Sequence, residues 1–164
     1  MIKTTLRVLS LIAFLILTGC ASVQYASPEL DSEAKAFKTS PDKATIYLYR
    51  NETMGAAVTM DVYLDDTFQG YTGANSYFMW VVEPGSHVIK SVAEDEETVT
   101  LETEPNKQYF VWQEVKMGLM SARNDLHIVD EEQGMKGVKE CKLVDVSAAE
   151  KILASRNKSE KSGQ

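Results

Sequence analysis

The sequence predicts a mainly β protein: a small antiparallel β-sandwich of about seven or eight strands with a short C-terminal helix, behind a cleaved N-terminal segment. Three observations carry this. From Ala44 onward apolar residues recur with a period of two, the spacing of a strand with one buried face. Such runs return at roughly 8 to 14-residue spacing with turn residues between them and no long helical pattern, as in a sandwich or small barrel. The first twenty residues are different in kind, a basic start followed by an unbroken apolar run.

Lys3 and Arg7 open the chain, and Val8 to Leu17, VLSLIAFLIL, then carries no charge. As a helix this core reaches about 15 Å against roughly 30 Å of bilayer hydrocarbon, too short to span and the right length for a signal-peptide core. It ends in Leu17-Thr18-Gly19-Cys20, which closely resembles the bacterial lipobox. The resemblance implies diacylglyceryl transfer to the Cys20 thiol, cleavage between Gly19 and Cys20, and N-acylation of the freed amine. One acyl chain holds a protein marginally and each buried methylene adds about 0.8 kcal/mol, so two or three chains anchor it firmly. The plainer alternative is an ordinary signal peptide with a chance cysteine. Prenylation of CASV fails, because that motif belongs at a C-terminus. Ala21 stands where an aspartate usually retains Gram-negative lipoproteins in the inner membrane, which implies the outer membrane facing the periplasm. Residues 1–19 are thus expected as a lipoprotein signal peptide.

The 164 residues suffice for one domain, and the formal net charge is -7. Losing the two positive charges of Lys3 and Arg7 takes it from -7 to -9. An acidic surface repels phosphates, so no nucleic-acid partner is expected. Two cysteines make no disulfide framework. With Cys20 acylated, Cys141 has no internal partner.

Residues 20–43 read as the lipidated N-terminus and a flexible tether, rich in Ser, Pro, Ala and charges and without an apolar period. A coil of this length spans about 26 Å. Within it ELDSEAKAF is compatible with a helical turn or two capped by Asp31 or Ser32, and Phe37 with docking on the domain.

Residues 44–146 form the expected sandwich. ATIYLYR alternates, and VTMDVYLDD does so most clearly, with Val58, Met60, Val62 and Leu64 opposite Thr59, Asp61, Tyr63 and Asp65. Asp65-Asp66 is a tight turn with FQGYTG as the return arm. YFMWVV is apolar on both faces and ends at Glu83-Pro84-Gly85, where Pro-Gly supplies turn geometry. SHVIKSVAE, TVTLETE and QYFVWQEV follow, then DLHIVD. EEQGMKG reads as a turn of helix broken by Gly134 and Gly137, and VKECKLV as a last short strand. Residues 147–164 are expected as the C-terminal helix, with Ser147 and Glu150 as a capping box, and a frayed tail.

The order of ATIYLYR, VYLDDTFQG, EPGSH, KQYFVWQEVKMG and DEEQGMKGVKECKL resembles the bacterial lipoprotein family DUF2846, a domain of unknown function, over about residues 40 to 143. The stretch from VYLDD to EPGSH is also similar to the PEGA surface-domain pattern, with Asp66 where such hairpins often carry glycine. The resemblance implies a small β-sandwich on a lipid anchor and brings no catalytic residues.

Chemistry is sparse along the chain. His87 and His127 are strand residues without metal-ligand spacing, so no metal and no cofactor is expected. Cys141 with His127 and an aspartate is conceivable as a triad, but a free cysteine is usually a buried small hydrophobe. AEDEE at 93–97 and DEEQG at 130–134 lack the converging loop that calcium needs. The one suggestive stretch is Met117, Gly118, Leu119 and Met120 in a loop, an adaptable partner surface unless these side chains close the end of the sandwich. Tyr63, Tyr71 and Tyr77 are a second candidate face, or simply pack with one edge in water.

The expected function is therefore that of a lipid-anchored envelope lipoprotein, held to the membrane through Cys20. Its non-enzymatic sandwich would bind a protein or peptidoglycan partner in the periplasm. The alternatives are a hydrolase acting on envelope polymers or lipids through two carboxylates in a cleft, and a purely structural surface protein.

Overall fold

The computed structural model describes residues 23–118 and 122–148. Among them lie α1 (Pro28–Ala34), β1 (Ala44–Arg50), β2 (Met60–Leu64), β3 (Thr67–Thr72), β4 (Ser76–Val82), β5 (Gly85–Val92), β6 (Glu96–Thr103), β7 (Gln108–Met117), β8 (Ala122–Val129), α2 (Glu131–Lys139) and β9 (Lys142–Leu143). The strands build a five-stranded sheet, β8-β7-β1-β4-β9, and a four-stranded sheet, β3-β2-β5-β6. The mainly β sandwich read from the period-two runs is the fold formed. Among the described residues it has nine strands, more than the seven or eight expected, and two pairings are parallel, β1 with β7 and β4 with β9. Parallel neighbours require a long crossover. The whole four-stranded sheet lies in sequence between β1 and β7, and α2 returns the chain from β8 to β9.

Alternation turns Ile46, Leu48, Phe78, Trp80 and Val111 inward against Val62, Leu64, Ile89 and Leu101 of the other sheet. The outer face of the five-stranded sheet is covered as well: Tyr47, Tyr49, Tyr77 and Phe110 pack beneath α1 and α2. All seven residues of β1 are accordingly buried, and β4 is apolar on both faces. A strand covered on both sides has no solvent face to keep polar. Asp65 and Asp66, at φ 49° and 61°, make the β2–β3 turn, in the left-handed region that short polar side chains tolerate.

Three expectations need correction. Residues 23–43 are not a free tether. Ser27, not Asp31 or Ser32, caps α1, and Asp31 accepts a bond from Leu143 N at 2.9 Å. Phe37 docks on the domain as expected, packing on Tyr47 at 5.4 Å between ring centroids, and Tyr25 bridges Val144. The apolar Ala34 and Phe37 have a ready sheet face to bury against, which a period count over so few residues does not reveal.

Gly134 and Gly137 do not break α2. They let it settle on the aromatic layer: a Cβ at Gly134 would stand 2.2 Å from Phe110 Cγ. Val138 is therefore the last buried turn of this helix, and the final strand shrinks to Lys142–Leu143. The described residues end in a 3-10 turn, Val146–Ala148; the rest of the stretch expected as a C-terminal helix, 149–164, lies outside them, as do the signal peptide and Cys20.

Candidate functional site

The β7–β8 hairpin gathers the chemistry that the sequence scatters. Met117 ends β7 and is 86% exposed. Gly118 follows it, and Leu119 and Met120 lie outside the described residues. The 51–59 loop arrives beside it with Met54, 58% exposed, which sequence reasoning missed. The link is Gly55, whose absent Cβ would lie 3.3 Å from Val115 Cγ1 and 3.6 Å from Ala122 Cβ. Ala122 is the cross-strand partner of Met117.

Buried polar groups hold this end in place. Arg50 is fully buried; its Nη1 donates to Val58 O at 2.8 Å and its Nη2 to Met54 O at 3.1 Å and Gly55 O at 2.8 Å. Burial draws its guanidinium pKa down, partly countered by the Glu52 carboxylate. Glu52 accepts from Val115 N at 2.8 Å, and burial raises its own pKa. Asp95, in the expected hairpin tip AEDEE, is not a free solvated carboxylate. It takes Asn124 N and Nδ2 at 3.0 and 2.9 Å on one oxygen and Arg123 Nε at 3.0 Å on the other. These bonds outweigh its desolvation and keep its pKa low.

On the outer face of the hairpin, register does what linear spacing does not. Trp112 pairs with His127 and Glu114 with Asp125. His127 Nε2 lies 2.9 Å from Glu114 Oε2, and its ring 5.2 Å from that of Trp112. One ligand atom each of Glu114, Asp125 and His127 falls within 4.8 Å of the others, a partial cation shell that the sequence did not announce. Lys116 stands among them, 2.5 Å from Asp125 Oδ2 and 3.6 Å from Glu114 Oε2. That bond raises the Lys116 pKa and lowers that of Asp125, so the cluster carries a cation of its own.

The remaining candidates are dispersed. Cys141 is buried, as expected, and its Sγ donates to Arg50 O at 3.4 Å. His127 bonds Glu114 on the β7–β8 hairpin, and among the described residues no hydrogen bond joins it to Cys141, so the triad imagined from the sequence is not assembled. His87 ties Asp65 to the Glu83 carbonyl. The three tyrosines do not share a face: Tyr77 is buried under α1, while Tyr63 and Tyr71 pack on Phe68 in the other sheet. A surface groove of ≈ 320 Å³ lies between α1, β4 and the chain after β9. Its lining is mainly apolar, with the carboxylates of Glu33 and Asp145 among it.

The sequence profile described as "Protein of unknown function (DUF2846)" matches residues 40–125, from just before β1 into β8. An uncharacterized protein of Haemophilus influenzae is 35% identical over 127 residues, which cover 76% of this chain and 75% of that one. The chain belongs to the DUF2846 family.

Proposed function

We propose that the chain is a lipid-anchored envelope protein whose sandwich is a non-enzymatic binding module for a protein partner in the periplasm. The Leu17–Cys20 motif supports the anchor, and Ala21 supports the outer membrane. The partner reading rests on one observation: Met54 and Met117 are exposed at one end of the fold on backbone that Arg50, Glu52 and Asp95 hold from beneath. Unbranched thioethers adapt to apolar partners and offer no hydrogen-bond donor, which suits a protein surface better than a glycan.

Photo-crosslinking in the cell from positions 54 and 117 should capture one reproducible protein. Capture of muropeptide would move the reading to the cell wall, and the absence of any reproducible adduct would reject it. Cys20→Ser should abolish lipid labelling and leave unprocessed precursor; labelling that survives would reject the anchor.

A further inference from the structure

The two ends of the folded body leave it together. Residues 24–26 run antiparallel to residues 143–145: Asp145 N donates to Gln24 O at 2.8 Å, Ala26 N to Leu143 O at 2.9 Å, and Tyr25 bridges Val144. Val23 is already packed, against Gly73 and the Phe68–Tyr71 pair. Only Ala21 and Ser22 separate it from Cys20. Three Cα steps of 3.8 Å reach about 11 Å at full extension, so a lipidated Cys20 holds this edge at the headgroups and not a coil's length away.

The same edge is where much of the exposed apolar surface gathers. Tyr25 is 45%, Leu30 54%, Val81 56% and Val146 40% exposed. Leu30, Val81 and Val146 rim the groove described above. Lys142 stands over the Tyr25 ring at 5.9 Å, and Lys38 lines the groove. The acidic groups there are Glu33 and Asp145 in the groove wall, with Glu29 exposed beside Leu30 and Asp31 paired to Lys35 on the same helix. Aromatic and aliphatic side chains flanked by lysines are the composition of a surface that rests at the boundary of headgroups and acyl chains.

We infer that the domain lies edge-on against the phospholipid leaflet that holds its anchor, with Tyr25, Leu30, Val81 and Val146 in contact with lipid and Lys38 and Lys142 beside them. This rests on the lipid-anchor reading. It orients the whole fold, because β9 and β3 are then the membrane edges of the two sheets and β8 and β6 the far ones. Three strand spacings place β7, which carries Met117, about 14 Å further out than β9, so the methionines stand away from the membrane edge.

The test uses the full-length, lipidated protein in cells, with a photo-reactive amino acid placed singly at Leu30, Val81, Val146, Met117 or Ile128. The expected result is lipid adducts from the first three positions and none above background from the last two. Palmitate labelling of the same samples reports the anchor independently. Labelled protein with lipid adducts absent, or equal at all five positions, overturns the edge-on contact while leaving the anchor intact. Crosslinks from Leu30 or Val81 into residues 149–164 would show the groove covered by the chain's own end, and overturn it too. Loss of palmitate labelling in every sample, wild type included, rejects the anchor reading itself.

Discussion

Gly137 lies so close to Tyr49 that a Cβ on it would stand 2.1 Å from Tyr49 Cε2. Alanine is the better helix former by about 1 kcal/mol, yet overpacking a filled site costs about 1–3 kcal/mol. Gly137→Ala should therefore destabilise by up to about 2 kcal/mol, and Gly134→Ala likewise against Phe110. Urea unfolding of each variant checks this. A gain in stability would mean that α2 can ride outward without loss.

Arg50 holds three carbonyls of the 51–59 loop from a fully buried position. Arg50→Met leaves those carbonyls without their donors and should cost about 2–4 kcal/mol. Arg50→Lys should not restore stability, since one ammonium lacks the planar fork that reaches both sides of the loop. Limited proteolysis should show new cleavage within residues 51–59 in both variants. Full rescue by lysine would show that charge alone suffices.

The His87–Asp65 contact, 2.7 Å, makes stability depend on pH. Burial alone would lower the His87 pKa, but the Glu83 carbonyl and the Asp65 carboxylate outweigh it and hold it above the ordinary 6.5. For Asp65, burial would raise the pKa, and bonds from His87 and Val88 N hold it below 3.8. A raised histidine pKa gives stability that is complete below 6.5 and lost as pH rises through the folded value. A lowered aspartate pKa gives stability present above 3.8 and lost as pH falls through the folded value. Both contributions stand together between those two values. His87→Gln should thus cost more at pH ~5.5 than at pH ~8.5, with a difference under about 1 kcal/mol because Asp65 is half exposed and screened. Denaturant midpoints at the two pH values decide it; equal losses would place the effect in packing.

Cys141 is 2% exposed, and burial, helped by the Glu140 carboxylate, pushes its thiol up to about 12. The thiolate is the reactive form. In a Cys20→Ser chain, where Cys141 is the sole thiol, Ellman's reagent should react only in denaturant. Rapid labelling of native protein would show that the cover of Ala34 and Lys35 opens.

The sheets were legible because burial on one face writes a period of two, as in Met60, Val62 and Leu64 of β2, each buried between half-buried neighbours. The helical layer was not, since what marks it is contact and not pattern. Gly134 and Gly137 read as breakers until Phe110 and Tyr49 are seen to need their absent side chains. Residues 23–37 read as linker because their few apolar residues, Ala34 and Phe37, are too sparse to show a period and are recruited by a distant sheet face. At the candidate site, Met117 was visible as an exposed methionine beside a turn. Met54 and the Glu114–His127 contact were not, because loop docking and strand register bring them there. Arg50, the last residue of ATIYLYR, carries no local mark of its full burial.

The parallel pairing of β1 with β7, Thr45 beside Gln108, also sets an order of assembly. β1 meets β4 across the β2–β3 hairpin alone, but its other edge stays open until β7 arrives from beyond the whole other sheet. Folding rates fall as the sequence distance between partners grows. The most buried strand of the protein is thus completed late, and until then its free edge is the part of the chain most able to pair with another copy.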